Sequence, residues 1–363
     1  MPLEYEYTAP PLDESSAALD ILKRRHVPEL AELAQLRRKG WSDEGLDGHF
    51  TRQRKVADRS PHASEVFWFE MMKKGMSEMD GAVNILPKQH TPFEFLDVCC
   101  CPGGFSSFSL HKNPSARGVG LSLPVSSGGH PFMLEGHLRP RYDFIEKDIL
   151  EYDLSPRVPG TLDSPDRFPD SMLERFQLVI IDGHALRTYT SPTQPPLDDI
   201  KEAHLSYRDS LHIAQLIVAL EAVRPGGTIL TRLSHLESFP ATHVLYLLDR
   251  LSDELVVYKP HSMHAYRGTF YVVAKGVLGH RAPGDHLELK ARYVAGLRQL
   301  WSELRWGGPG GCGRRMASGD LDFVVSTEEI LGEYLDRLIT LGRGVWRTQA
   351  QGLRRLFAKR GIQ

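Results

Sequence analysis

The sequence predicts a Rossmann-like α/β fold: a doubly wound, mostly parallel, seven-stranded sheet with helical extensions at its N- and C-terminal ends. Three observations carry this expectation. Short apolar runs recur seven times, helical periodicity fills much of the chain between them, and the first run ends in an acid that enters a Pro-Gly-Gly turn. Strands that alternate with helices pack as a parallel sheet covered on both faces.

Taken in order, residues 1–15 are Pro-rich and acidic and read as extended chain. Residues 17–60 have helical periodicity and a basic surface, with Arg37, Arg38, Lys39, Arg52, Arg54, Lys55 and Arg59 as a candidate polyanion contact. A second helical segment spans 64–80. Strand-like runs follow at 93–99, 116–121, 143–147, 177–182, 227–233, 254–258 and 269–275. A long helix over 203–223 has Leu211, Ala214, Leu216, Ile217 and Leu220 on its apolar side, and Arg224-Pro225-Gly226-Gly227 ends it. The Pro-, Asp-, Ser- and Thr-rich stretches 155–170 and 187–199 read as surface loops, the second placed to cover a substrate because it follows Asp182. Beyond 280 the pattern turns helical, over 285–305 and 327–342, and closes on a tail with Arg343, Arg347, Arg354, Arg355, Lys359 and Arg360. The expected organisation is a basic helical extension over 1–62, a central domain over 63–280 and a C-terminal helical extension over 281–363.

Composition narrows the function classes. With 363 residues, 41% of them apolar, the chain can bury a full core. A net charge of −2 and a pI near 6.8 provide no global field for nucleic acid or membrane, so any polyanion site is local. Cys99, Cys100 and Cys101 are adjacent, which suits neither mutual disulfides nor a zinc site, and with Cys312 they read as small residues in a reduced compartment. The N-terminus lacks a basic segment followed by an apolar run, and no stretch approaches the length of a membrane span. A cytoplasmic or nuclear protein that is not secreted is the expectation.

The segment Glu94-Phe95-Leu96-Asp97-Val98-Cys99-Cys100-Cys101-Pro102-Gly103-Gly104-Phe105 reads as strand, tight loop and helix start. Adjacent glycines let the backbone turn sharply and approach a ligand, and the carboxyl end of a parallel strand is where a nucleoside-sized ligand binds. The loop lacks the G-x-G-x-x-G spacing that seats a pyrophosphate, and no Gly-Lys-Ser/Thr follows as in a P-loop. A phosphate-free cofactor fits better, and S-adenosylmethionine is the common one.

Residues Asp97 to Phe105 resemble the first motif of the FtsJ-like ribose 2'-O-methyltransferases, and Gly118-Val119-Gly120-Leu121-Ser122-Leu123 is similar to the second-strand segment of their eukaryotic mRNA-cap branch. Lys147-Asp148-Ile149-Leu150, Leu178-Val179-Ile180-Ile181-Asp182-Gly183 and Arg224-Pro225-Gly226-Gly227-Thr228 continue the resemblance. Leu245-Tyr246-Leu247-Leu248, Lys259-Pro260 and Tyr271-Val272-Val273-Ala274-Lys275-Gly276 follow in the cap-enzyme order. The resemblance covers about residues 64–276 and implies an S-adenosylmethionine cofactor and an RNA substrate. It places Asp97, Cys101, Pro102, Gly103, Gly104 and Phe105 around the methionine moiety, Leu121 and Ser122 near the ribose, Asp148 and Ile149 at adenine, and Asp182 at the methyl-transfer point, with Cys99 a further candidate for cofactor binding.

The family's catalytic set is Lys-Asp-Lys-Glu, and this chain departs from it at three positions. Ungapped alignment puts Arg232 at the central lysine, Thr269 at the glutamate and Glu70 at the first lysine. Arginine stays protonated and cannot accept a proton, although it can stabilise an alkoxide or hold a phosphate. Lys73 and Lys74 follow Glu70 by about one helical turn, so either can serve as a displaced lysine. Three readings remain open: a ribose methyltransferase using Asp182, Arg232 and Lys73, a same-fold methyltransferase on a nitrogen or small molecule, and a non-catalytic cofactor- or RNA-binding descendant.

Overall fold

The strand order of the sheet is β3-β2-β1-β4-β5-β7-β6 in the computed structural model, which describes residues 22, 25, 27–43, 46, 62–156, 164–186, 189, 200–279 and 286–362. The strands are β1 (Phe93–Val98), β2 (Ala116–Ser122), β3 (Tyr142–Glu146), β4 (Phe176–Ile181), β5 (Val223–Ser234), β6 (Glu254–Tyr258) and β7 (Thr269–Val277). β1 to β5 pair in parallel, and β7 inserts antiparallel between β5 and β6. Chain order reverses between β1 and its neighbour β4, so a crevice opens there at the carboxyl ends of the strands.

Side chains alternate across the sheet and both faces are covered, which is why these strands read as nearly continuous apolar runs. Leu96, Val98, Val179, Ile181, Phe270 and Val272 face one core; Phe93, Phe95, Leu178, Ile180, Tyr271 and Val273 face the other. The second core is closed by α2 (His62–Val83) and α3 (Gly104–Lys112), after α1 (Pro28–Trp41). The first core is closed by α4 (Ile200–Ala222), α5 (Ala241–Leu251) and α6 (His286–Trp306), with α7 (Thr327–Leu331) and α8 (Leu335–Arg360). Leu30 and Leu33 of α1 and Trp346 of α8 belong to the same buried cluster as the sheet residues, so both extensions share its core.

Four expectations are corrected. The single C-terminal helix over 327–342 is two: Ser326 caps α7 through the Glu329 amide, the backbone breaks at Gly332, and α8 then runs on to Arg360 along a stripe including Leu338, Val345, Trp346 and Leu353. The strand expected over 227–233 starts earlier, at Val223 directly after α4 ends at Ala222, so Arg224-Pro225-Gly226-Gly227 ends the helix but already belongs to β5, at an irregularity in its register with β4. The basic tail is partly neutralised within the chain: α8 packs on α1, where Arg343 and Arg347 bind Glu29 and Arg354 pairs with Glu32. Arg37 is not a surface cation but is buried, donating to Glu237 Oε1 at 2.5 Å and Gln349 Oε1 at 2.9 Å. Trp346 Nε1 donates to the other Glu237 oxygen at 3.0 Å, so one buried carboxylate joins both extensions to the loop after β5. Arg52, Arg54, Lys55 and Arg59, residues 1–15, expected to be extended, and most of residues 187–199, expected to form a loop, lie outside the described residues. Among the described residues, no helix is long and apolar enough to cross a membrane.

Candidate active site

The loop after β1 is built on its neighbour strand. Cys99 leaves the sheet with φ 60°, and the amides of Cys99 and Cys100 both donate to the Leu121 carbonyl, at 2.6 and 3.2 Å. The Cys101 amide reaches Ser122 Oγ at 3.3 Å, and the Pro102 carbonyl accepts from the Met133 amide at 3.0 Å. Gly103 then starts α3 with φ 107°, a left-handed conformation that favours glycine. Its neighbour serves packing instead. A Cβ on Gly104 would lie 2.4 Å from the Phe69 carbonyl oxygen and 2.5 Å from Met72 Cβ, so this glycine lets α3 meet α2. The Phe105 side chain points into the core, edge-on to Tyr271 with centroids 6.1 Å apart.

Asp97 is buried beneath the loop, where Ser106 Oγ donates to its Oδ2 at 2.5 Å and Tyr142 O–H donates to Ser106 Oγ at 2.8 Å. Gly120 makes that chain of bonds possible, since a Cβ there would sit 2.0 Å from the Tyr142 oxygen. Burial pushes the Asp97 carboxyl up to about 7 despite the Ser106 bond, and the nearby charge of Asp182 adds to the rise.

Beside this loop lies a cleft of about 510 Å³, counted to its open mouth, between the ends of β1, β2, β3 and β4. Cys99, Cys101, Leu121, Ser122, Asp148 and Ile149 line it, bringing together six residues singled out in the sequence. Asp97, Pro102, Gly103, Gly104, Phe105 and Asp182 do not line it: Asp97 is buried in β1, Pro102 to Phe105 form the loop and the start of α3 with Phe105 in the core, and Asp182 follows β4. Asp148 Oδ1 caps the Ile149–Glu151 turn by accepting from the Leu150 amide at 2.9 Å, and its Oδ2 accepts from the Tyr189 hydroxyl at 2.7 Å. Burial, followed by the negative charges of Asp148, Asp97 and Asp182, pushes the Cys99 thiol well above its ordinary range. Cys99 is therefore a neutral thiol at neutral pH, not a nucleophile.

Asp182 follows β4 with its side chain 13% exposed. Its Oδ1 accepts from the Tyr271 hydroxyl at 3.0 Å and forms an ion pair with Arg232, whose Nε lies 3.3 Å away. Arg232 and Tyr271 are directly paired across β5 and β7, so the sheet register delivers both. Burial raises the Asp182 carboxyl above the ordinary carboxylate range, although Arg232 and then Tyr271 oppose the shift. Thr269 opens β7 opposite Ser234, and its carbonyl accepts from Lys259 Nζ. Lys73 is engaged elsewhere, 3.2 Å from both Glu70 and Glu135 and over the Phe69 ring. Partial burial works against its charge, but Glu135 and Glu70 outweigh that and hold its pKa above the ordinary value.

A family model described as FtsJ-like methyltransferase matches residues 74–277, more than half of the chain. The chain belongs to the FtsJ-like methyltransferase family. Its similarity to curated relatives is low. An inactive cap-specific mRNA (nucleoside-2'-O-)-methyltransferase 1B of Caenorhabditis briggsae is 26% identical over 215 residues, 57% of this chain and 23% of the relative. Cap-specific mRNA (nucleoside-2'-O-)-methyltransferase 1 of Danio rerio is 25% identical over 210 residues, 58% of this chain and 24% of the relative. The chain thus spans about a quarter of the length of these proteins. Among solved structures, a ribosomal RNA methyltransferase from Plasmodium falciparum aligns with a TM-score of 0.37 and 17% identity, covering 57% of this chain and 97% of that one.

In this FtsJ-like chain, sequence reasoning left out Tyr271 as a partner of Asp182 and Tyr207, Tyr189 and His130 around the cleft. Tyr271 was within reach, because pairing the β5 and β7 runs antiparallel sets it opposite Arg232. Tyr207 sits in α4 with no local signal, and His130 lies in an irregular stretch that only tertiary structure brings to the cleft.

Proposed function

We propose that this chain is an S-adenosylmethionine-dependent methyltransferase acting on the ribose 2'-hydroxyl of RNA, with Asp182 at the transfer point. The observation that carries this reading is the Asp182–Arg232–Tyr271 cluster beside a cleft at the sheet's switch point. The donor set suits the cofactor. Among the lining residues, Asp148 and Ser122 offer oxygen acceptors to amine and hydroxyl groups, while the Lys147 ammonium is paired with Asp166 at 3.6 Å.

Cys101, Leu121, Ser122, Asp148 and Ile149 would hold the cofactor, which supplies an activated methyl group when bound. Asp182 takes the hydroxyl proton: its raised pKa makes it a stronger base than an exposed carboxylate. Arg232 cannot accept a proton, and its guanidinium instead stabilises negative charge developing on the ribose oxygen. RNA as the substrate class follows the names of the cap-specific relatives and the family's expected chemistry.

The second reading, a cofactor-binding module without catalysis, draws on Lys73, whose two carboxylate partners keep it protonated and unfit as a displaced base. Calorimetric titration with S-adenosylhomocysteine tests the cleft that both readings share. The native chain is expected to bind one equivalent, and Gly103→Val to bind at least about tenfold more weakly, because a β-branched residue disfavours φ 107° and the loop must move. Equal affinity of the two proteins, or no binding by either, would remove the loop from the cofactor site.

A further inference from the structure

Tyr189 is placed by none of the motifs, yet it links two walls of the cleft. It comes from the segment after β4, whereas Asp148 follows β3 and Tyr207 belongs to α4. Its hydroxyl donates to Asp148 Oδ2 at 2.7 Å, and its ring stacks on Tyr207 with centroids 3.9 Å apart and planes 7° from parallel. Asp148 and Tyr207 line the cleft, and Tyr189 contacts both.

The consequence lies in the carboxylate. The terminal torsion of an aspartate is broad, so an unrestrained Asp148 could present its oxygens in many orientations. The Leu150 amide holds Oδ1 and Tyr189 holds Oδ2, which fixes the carboxylate plane from both ends. Beneath it, buried Arg305 of α6 donates to the Leu150 carbonyl at 3.5 Å and braces the same turn. An ionised carboxylate is acceptor-only, and each oxygen retains capacity for a further bond. Held still, it rewards a ligand amine and penalises a ligand carbonyl at the same place. Free to turn, it would discriminate less.

We propose that Tyr189 is a positioning residue that, by fixing Asp148 and Tyr207, makes the cleft select a purine with an exocyclic amine over one with a carbonyl. This inference rests on the reading that the cleft holds the adenosyl part of the cofactor. The selected group is the 6-amino group of adenine, and the rejected ligand is the 6-oxo analogue.

The test compares dissociation constants of S-adenosylhomocysteine and S-inosylhomocysteine for the full chain, Tyr189→Phe and Asp148→Asn. Tyr189→Phe keeps the stacked ring and removes only the hydroxyl. The native chain is expected to prefer the adenosyl ligand, Tyr189→Phe to reduce that preference by about tenfold, the size of one lost hydrogen bond, and Asp148→Asn to abolish it. The double variant should lose no more than Asp148→Asn, since both act through one carboxylate. An unchanged preference in Tyr189→Phe, or equal weakening of both ligands, would overturn the positioning role while leaving the cofactor site standing. Failure of the native chain to bind either ligand would overturn both.

Discussion

Glu237→Ala is expected to lower the unfolding free energy by about 3–5 kcal/mol, the range for breaking a buried ion pair by removing one partner. The substitution strands the Arg37 guanidinium in the core and also takes the acceptor from Trp346. Although burial works against the Glu237 charge, Arg37 and the hydrogen bonds hold its carboxyl down at about 2. A carboxyl depressed on folding contributes stability that is fully present above its unfolded pKa of about 4.5 and is lost as pH falls from there towards 2; the span is worth about 3 kcal/mol. Urea unfolding at pH 7 should therefore separate the two proteins widely, and the gap should narrow as pH falls towards 3. A difference below about 1 kcal/mol at pH 7, or one independent of pH, would mean that the Arg37–Glu237 pair does not hold the extensions to the domain.

Gly104→Val is expected to destabilise the chain by about 1–3 kcal/mol or more through overpacking. The atoms that the new side chain would meet, the Phe69 carbonyl oxygen and Met72 Cβ, are fixed by the backbone of α2 and cannot turn aside as a side-chain tip could. At Gly103 a Cβ would meet nothing closer than 3.6 Å, so the strain there is conformational, not steric. Two adjacent glycines thus act differently, and a thermal unfolding series of Ala and Val at each position separates them. Stability of Gly104→Val equal to that of the native chain would mean that α2 yields at this contact.

The strands were legible because strands buried on both faces are short apolar runs, and each of the seven runs overlaps an observed strand. Leu121, Ser122, Asp148 and Ile149 were singled out through the family resemblance of their motifs, and they meet in one cleft because a parallel sheet sends the residues at its strand ends to one edge. Partnerships between distant segments were not. Arg37 reads locally as one cation in a basic helix, and nothing within 200 residues of it announces Glu237. Arg343 and Arg347 likewise read as a polyanion patch until α8 is laid against Glu29. Lys73 sits at the spacing expected of a displaced lysine, but Glu135, which is 62 residues away, joins Glu70 in holding its ammonium. Spacing conveys which residues share a helix face, and only tertiary packing conveys what that face meets.

The central claim is that Asp182 marks a methyl-transfer point acting on RNA ribose. It is tested most directly by incubating the native chain and Asp182→Ala with tritiated S-adenosylmethionine and capped or uncapped RNA, then digesting the RNA to nucleosides. The account predicts label in 2'-O-methylated nucleosides with the native chain, and a loss of about a hundredfold or more with Asp182→Ala while the cofactor still binds. Label on a base, equal labelling by both proteins, or no label despite cofactor binding by the native chain would contradict it.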